Sequence, residues 1–419
     1  MNEAAVGIDI GSSKVCTIIG ELNKNSQLQI MGVGTAECRG YRKGIIVDID
    51  NTSRAITNSV EQAERMSGME VKSAYISMPG GLASLVKNRG VIAIPRDEKE
   101  ITNDDVKRVL ASAAAENIPV DMEVIGVIPL QFIVDGYENI KDPVGMMGLR
   151  LEVEANIITA PLSAVQNLVK SIERCNIDVL GIVIQPIADA EALLTKDEKD
   201  LGIALIDVGS EITNISVFTN GQLSFTKLIP IGGAHITNDI SIGLKIPVSE
   251  AEKLKRQYGC ALVSMIKTVE DISVNIQGTN SAKIVSNKVL TDIIEARVQE
   301  IYYLVGRELE QSGFKKLATC GAVLSGGGLS FINGAAEAGA SLLGMPVRIG
   351  SPKYIGVASP VYSTATGMVK HILSSKSGVS KNYSGDEQES ASVSRTRKQS
   401  LGKSNSVIGR IKEFFEEFF

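Results

Sequence analysis

The sequence predicts an α/β fold of two related halves, with a small α+β domain inserted in the first half and an amphipathic helix at the C-terminus. Three observations predict it. Two segments repeat one another, Gly7-Ile-Asp-Ile-Gly-Ser-Ser-Lys14 and Leu205-Ile-Asp-Val-Gly-Ser-Glu-Ile-Thr213. Strand-like and helical patterns alternate over most of the chain. The end switches abruptly from a Ser-rich stretch to a Phe-rich periodic one.

Each repeat has apolar, β-branched residues on both sides of an Asp-x-Gly-Ser core, a pattern that reads as strand, tight turn, strand. A P-loop or dinucleotide fingerprint turns from strand into helix after its glycines, and no Gly-x-x-x-x-Gly-Lys-Ser occurs. Helices are expected over residues 51–66 up to Gly68, over 163–175 after Pro161, and over 187–194 after Pro186. Between residues 85 and 160 the pattern changes. A helix is expected at 104–116, before Pro119, and the clearest strand at 149–157. There Leu149, Leu151, Val153 and Ala155 alternate with Arg150, Glu152, Glu154 and Asn156. Residues 374–403 are Ser-rich with few large apolar groups, so burial cannot offset the cost of ordering them, and a flexible linker is expected.

Composition narrows the function. Hydrophobic residues make up 44% of the 419 and charged ones 22%, a globular balance. A net charge of -5 argues against a nucleic-acid partner held by phosphate neutralisation. The five cysteines are scattered without a CxxC pair, which speaks against a disulfide framework or a zinc site and for a reducing cytoplasm. With only two histidines, a serine or cysteine hydrolase using His as base is disfavoured. The N-terminus runs at once into a strand pattern, leaving no room for a signal peptide, and no stretch is apolar enough to span a bilayer.

The repeats carry the chemistry. A polyphosphate needs closely approaching backbone N–H donors, hence Gly and Ser turns, and a divalent cation, hence carboxylates. Asp9 with Gly11, Ser12, Ser13 and Lys14, and Asp207 with Gly209, Ser210 and Thr213, supply both sets. Lys14 adds a point charge for an outer phosphate. A third element, Val323-Leu-Ser-Gly-Gly-Gly-Leu-Ser-Phe331, puts Ser325, Gly326, Gly327 and Gly328 at the end of a strand and before a helix, where adenine can lie against bare backbone. Each motif alone is also an ordinary turn.

The order of these three motifs resembles that of the actin, Hsp70 and sugar-kinase superfamily. Within it the chain is similar to the FtsA family over residues 5–373 and again at the terminal helix. The matching motifs are Val6-Gly-Ile-Asp-Ile-Gly-Ser-Ser-Lys14, Arg42-Lys-Gly-Ile-Ile-Val-Asp48, Ile236-Thr-Asn-Asp-Ile240 and Ala251-Glu-Lys-Leu-Lys-Arg-Gln-Tyr-Gly259. The resemblance implies an actin-like (ribonuclease-H-like) two-lobed fold. It divides the chain at 1–84 and 161–197 (first lobe), 85–160 (inserted domain), 198–245 and 307–343 (second lobe), 246–306 (a further subdomain) and 344–373 (return to the first lobe). The linker, 374–403, and a membrane helix, 404–419, follow.

The resemblance also implies ATP and Mg²⁺ as cofactors. Asp9 and Asp207 would place the metal, Gly232 and Gly233 would flank the nucleotide, and Glu252 and Lys255 would reach ribose and base. Gln185 stands where the superfamily orients the attacking water, although a polar residue opening a helix explains it equally well. Glutamine is no strong base, so tight ATP binding with slow or undetectable turnover is expected. The implied partners are FtsZ, docked on residues 246–306, further copies in a homopolymer, cytoplasmic membrane lipids, and later division proteins through the inserted domain. The implied location is the cytoplasmic face of the membrane at the division septum. A membrane platform of the pilus-assembly type and a small-molecule kinase are the alternatives.

At the end of the chain Val407, Ile408, Ile411, Phe414, Phe415, Phe418 and Phe419 fall on one helical face, with Arg410, Lys412, Glu413, Glu416 and Glu417 opposite. Burying seven such groups yields at most roughly 10 to 14 kcal/mol. Ordering the segment costs about as much, at ~1 kcal/mol per residue. One copy is a marginal anchor, and several on a filament hold firmly through effective concentration. The helix is not basic, so anionic lipids are expected to meet Arg395, Arg397, Lys398 and Lys403 of the linker.

Overall fold

The computed structural model describes residues 4–95, 100–115, 118–275 and 282–383. The repeats form two five-stranded sheets of one topology. In the first, the antiparallel strands Leu28–Glu37, Lys14–Leu22 and Ala5–Ile10 continue into parallel Ser73–Met78 and Asp178–Ile184. In the second, Gln222–Ile229, Thr213–Thr219 and Ile203–Val208 continue into parallel Ala322–Ser325 and Val347–Ile349. Both turns close alike. Gly11 N donates to Lys14 O at 2.9 Å and Gly209 N to Ile212 O at 2.9 Å. The strand-turn-strand expectation therefore holds in both halves.

The central strands are covered on both faces, which is why they read as continuous apolar runs rather than alternating ones. Ile8, Ile10, Ile18, Ile19 and Ile76 are fully buried in the first sheet, as are Ile206, Val208, Ile215 and Val217 in the second. The helix Ile49–Ser67 lies against the first sheet. The Asp48 side chain caps its start by accepting from Asn51 N, and Gly68 ends it in the left-handed conformation. The helix Ser363–Tyr383 crosses back to the first lobe and buries Ala365, Met368, Val369 and Ile372. It runs into the segment expected to begin the linker at 374, as far as Tyr383.

The inserted domain is a four-stranded sheet in the order Ser84–Ala93, Arg150–Pro161, Met122–Val134, Tyr137–Ile140, covered by the helix Asn103–Ala114. Alternation predicted the long strand, with Leu151, Val153, Ala155 and Ile157 inward. Its edges differ from expectation. Leu149 is exposed, and Glu152, on the expected solvent face, is buried between Arg89 at 2.6 Å and Arg150 at 3.1 Å. A paired cation on each side lets this carboxylate lie under side chains that the alternation pattern cannot register.

In the second half, helix Val248–Tyr258, the hairpin Asp271–Asn275 and Ala282–Ser286, and helix Asn287–Gln311 form the further subdomain. The expected boundary at residue 306 falls inside that last helix. A buried run of Leu290, Ile294, Val298, Ile301, Val305 and Leu309 carries it onto the second lobe without a break.

Candidate nucleotide site

Asp9 and Asp207 each stand one residue from the end of their strands, Ala5–Ile10 and Ile203–Val208, so identical register puts both carboxylates beside their turns. Ser77 on the neighbouring strand donates to Asp9 Oδ1 at 2.6 Å. Gln185 Nε2 donates to the same oxygen at 3.2 Å, and Asn214 Nδ2 donates to Gln185 Oε1 at 3.1 Å. Gln185 thus links the first lobe to the second. It opens the helix Gln185–Leu193 as well, two residues earlier than expected, and it is buried with both ends of its amide engaged.

Three carboxyls share this cleft. Burial raises the pKa of Asp9 against the opposing hydrogen bonds from Ser77 and Gln185. Burial and the negative charge of Asp9 push Asp207 up to about 6, with Asn214 opposing. Asp189 is raised well above the usual carboxylate range, by burial and then by Asp207, although Thr364 donates to it at 2.8 Å. Carboxyls whose pKa is raised by burial and by a neighbouring carboxylate, as for Asp207 and Asp189, favour a cation between them.

The second turn is also a backbone cradle. Gly233 N donates to Gly209 O at 2.9 Å, Ala234 N to Ser210 O at 2.8 Å, and Gly328 N to Val208 O at 2.7 Å. Side chains cannot enter here. A methyl on Gly232 would lie 2.6 Å from Gly209 O, one on Gly328 2.4 Å from the same oxygen, and one on Gly233 2.6 Å from the Gly328 Cα. Gly326 has φ +80°, and a methyl there would meet Asp207 Oδ1 at 2.3 Å. The start of the helix Gly233–Leu244 and the glycine loop are thereby stacked on the Gly209-Ser210 turn. Gly327 follows in this loop, and Ser325 anchors it by donating to Ser363 Oγ at 3.1 Å. The loop runs on through Gly334 before the helix Ala335–Leu343 begins, so the three glycines do not lead directly into a helix as expected.

The remaining expected residues divide between the two walls. Thr213 donates to Ile231 O at 2.8 Å and ties the second turn to the Gly232-Gly233 corner. Lys255 packs against the same corner. It is buried and donates to Gly233 O at 3.0 Å and Thr237 Oγ1 at 2.8 Å, while Glu252 Oε2 stands 2.7 Å away. Gly11, Ser12 and Ser13 form the first turn, and the Lys14 ammonium lies 4.5 Å over the Tyr362 ring. Among the described residues no group of three His, Cys, Asp or Glu side chains is placed to hold a metal ion by itself, and no helix is long and apolar enough to cross a membrane. The membrane-helix residues 407, 408, 411, 414, 415, 418 and 419 lie outside the described residues.

Sequence reading missed Ser77, Asp189, Asn214 and Thr364. Two of these left a signal. Asp189 follows Gln185 by four residues, one helical turn along the same face, and Asn214 is the cross-strand partner of Asp207. Ser77 and Thr364 come from distant segments with no pattern to mark them.

A family model described as cell division protein FtsA matches residues 204–367, and one described as the SHS2 domain inserted in FtsA matches residues 80–159. The cell division protein FtsA of Bacillus subtilis is 41% identical over 369 residues, which is 88% of this chain and 83% of that protein. The chain belongs to the FtsA family of cell division proteins. FtsA of Pseudomonas aeruginosa is 36% identical over 391 residues, 92% of this chain and 93% of that one. These matches decide for FtsA over the pilus-assembly and kinase alternatives. Among solved structures, a PilM-PilN type IV pilus biogenesis complex superposes with TM-score 0.61 at 15% identity, over 88% of this chain and 98% of that one. MreB5 of Spiroplasma citri bound to ADP superposes with TM-score 0.54 at 14% identity, over 92% and 99%. Such identities speak to the fold alone, and the fold is actin-like with an FtsA-type insertion.

Proposed function

We propose that this FtsA-family chain binds MgATP between its paired turns, assembles into a homopolymer, and ties FtsZ filaments to the cytoplasmic face of the membrane at the septum. The observation that carries the nucleotide part is the grouping of buried Asp189 with partly buried Asp9 and Asp207 beside a backbone cradle that any side chain would fill. Uncompensated carboxyls fit a hard divalent cation, which takes few protein ligands and completes its shell with phosphate oxygens and water. Asp9 and Asp207 would hold Mg²⁺, and bound metal would neutralise charge on the phosphates. The N–H groups of Ser12, Ser13 and Ser210 would bind phosphate oxygens, with Lys14 leaving the Tyr362 ring for an outer one. Glu252 and Lys255 flank the Gly233 corner on the side where ribose and base would lie.

Gln185 is positioned to hold a water through its amide, yet an amide takes no proton. Turnover is therefore expected to be slow. Residues 407–419 would insert their apolar face into the lipid interface, and residues 246–306 would receive FtsZ. Support for these last two roles comes from family membership and from the periodic sequence of the tail. Vesicle co-sedimentation tests the anchor. Removal of residues 405–419, or Phe414→Glu with Phe415→Glu, is expected to leave the protein in the supernatant, whereas unchanged pelleting rules the anchor out. Capture of FtsZ with and without residues 246–306 tests the docking subdomain.

A further inference from the structure

On the side of helix Gln185–Leu193 away from Asp189 lies a cavity of about 300 Å³. Four parts of the fold converge on it. The inserted domain contributes Ile128, the first lobe Ile187, the second lobe Phe218 and Leu223, and the helix Ser363–Tyr383 contributes Ile372. Gln222 Nε2 donates to Pro129 O at 3.0 Å and bridges the inserted domain to the second lobe at this cavity. Polar groups gather toward the last helix. Lys199 Nζ lies 2.9 Å from Glu191 Oε1, Lys370 Nζ donates to the Glu191 backbone carbonyl at 2.6 Å, and the His371 imidazole stands beside them. Lys199 and Lys370 thus stand around Glu191 at this end, while the Asp200 carboxylate lies beside Gly221.

We infer that this cavity is a docking site for the chain's own Phe-rich segment, residues 405–419, in the absence of lipid. Volume and chemistry agree. About 300 Å³ is at the small end of ligand pockets, enough for one or two aromatic side chains but not for a whole helix face. The segment offers Phe414 and Phe418 one helical turn apart for the apolar walls, with Glu413, Glu416 and Glu417 beside them as acceptors for the Lys199 and Lys370 ammonium groups at its mouth. Connectivity agrees as well. His371, Ile372 and Ser375 line the cavity on the same helix that leads to the tail, and Tyr383 ends that helix only about 12 Å beyond Ser375 at ~1.5 Å rise per residue. The residues from Tyr383 to Val407 can span tens of ångströms, so the return path is open.

The same apolar face cannot lie in the cavity and in a lipid surface together. Docking therefore lowers membrane affinity by the fraction of molecules held closed. Because the cavity walls come from both lobes and the insertion, an occupied cavity also favours one relative position of the three. The regulatory part of this inference rests on the proposed anchor, and the docking part does not.

The full chain contains no tryptophan, so Phe415→Trp supplies a single reporter. In lipid-free full-length protein its emission is expected to be blue-shifted and at least threefold less quenched by acrylamide than in an isolated 405–419 peptide carrying the same change. That protection should not vary on tenfold dilution. Ile128→Glu, a partly exposed cavity residue, and separately Phe414→Ser with Phe418→Ser, should both return the reporter to the peptide's values. The tail pair cannot disturb the folded core. Ile128→Glu should also raise vesicle affinity about threefold or more, using vesicles of phosphatidylglycerol and phosphatidylethanolamine. A reporter as exposed as the peptide overturns docking, as does shielding that both variants leave intact. Shielding lost on dilution overturns it in favour of a contact between copies. Shielding relieved by both variants, with no vesicle binding by any of them, upholds docking and removes the membrane anchor instead.

Discussion

At the level of single residues, the cleft is a place where stability is spent on function. Asp189 is buried with Thr364 donating to it, and the charges of Asp207 and Asp9 raise its pKa beyond what burial does. Asp189→Asn keeps an acceptor for the Thr364 hydroxyl and removes one charge. The ligand-free protein should gain on the order of 1 to 2 kcal/mol, seen as a higher melting temperature, while MgATP gives a smaller further rise. Asp207→Asn separates the metal's role from folding. Nucleotide affinity in Mg²⁺ should fall at least tenfold and the difference between Mg²⁺ and EDTA should vanish. Binding like wild type would remove Asp207 from the site. Gln185 bridges Asp9 and Asn214. Gln185→Ala is therefore expected to lower turnover further without abolishing binding, measured as phosphate release against equilibrium affinity.

Elements meet at this site through backbone contact, which is why several glycines stand where no pattern called for them. Gly367 on the helix Ser363–Tyr383 faces the Ala188 carbonyl, and a methyl there would lie 1.7 Å from that oxygen. The contact fixes the helix bearing Gln185 and Asp189 against the helix that presents Thr364. Gly367→Ala forces the two apart and should cost roughly 1 to 3 kcal/mol. Nucleotide affinity should fall with it, because the cleft residues move together. A variant with unchanged melting temperature and affinity would show that this packing does not position the site.

For the whole molecule, pH dependence follows from the same crossing. Burial lowers the pKa of His371 below its ordinary 6.5, opposed by Glu191 and reinforced by Lys199, with Lys370 packed beside Glu191. The unfolded chain takes up this proton near pH 6.5 and the folded one does so only at lower pH. The stability owed to neutral His371 is therefore fully present above about pH 6.5 and declines as pH falls below it. His371→Gln should flatten the loss of melting temperature between pH 7.5 and 5.5, and an unaltered slope would assign the acid loss to other groups.

The sequence alone determined the duplicated strand-turn-strand halves, the insertion and the helix stop at Gly68, and it marked the residues of the two Asp-x-Gly-Ser turns. These are local properties, written in periodicity and in turn chemistry between neighbours. It placed Gly232, Gly233, Glu252 and Lys255 only through family resemblance, and overlooked Asp189, Asn214, Ser77 and Thr364. Only the tertiary structure decided which distant segments share one cleft, that Gln185 links the two lobes, and that Glu152 lies buried between two arginines. The physical reason is that burial, close backbone approach and the coupling of charges depend on separations through space, which no spacing along the chain records.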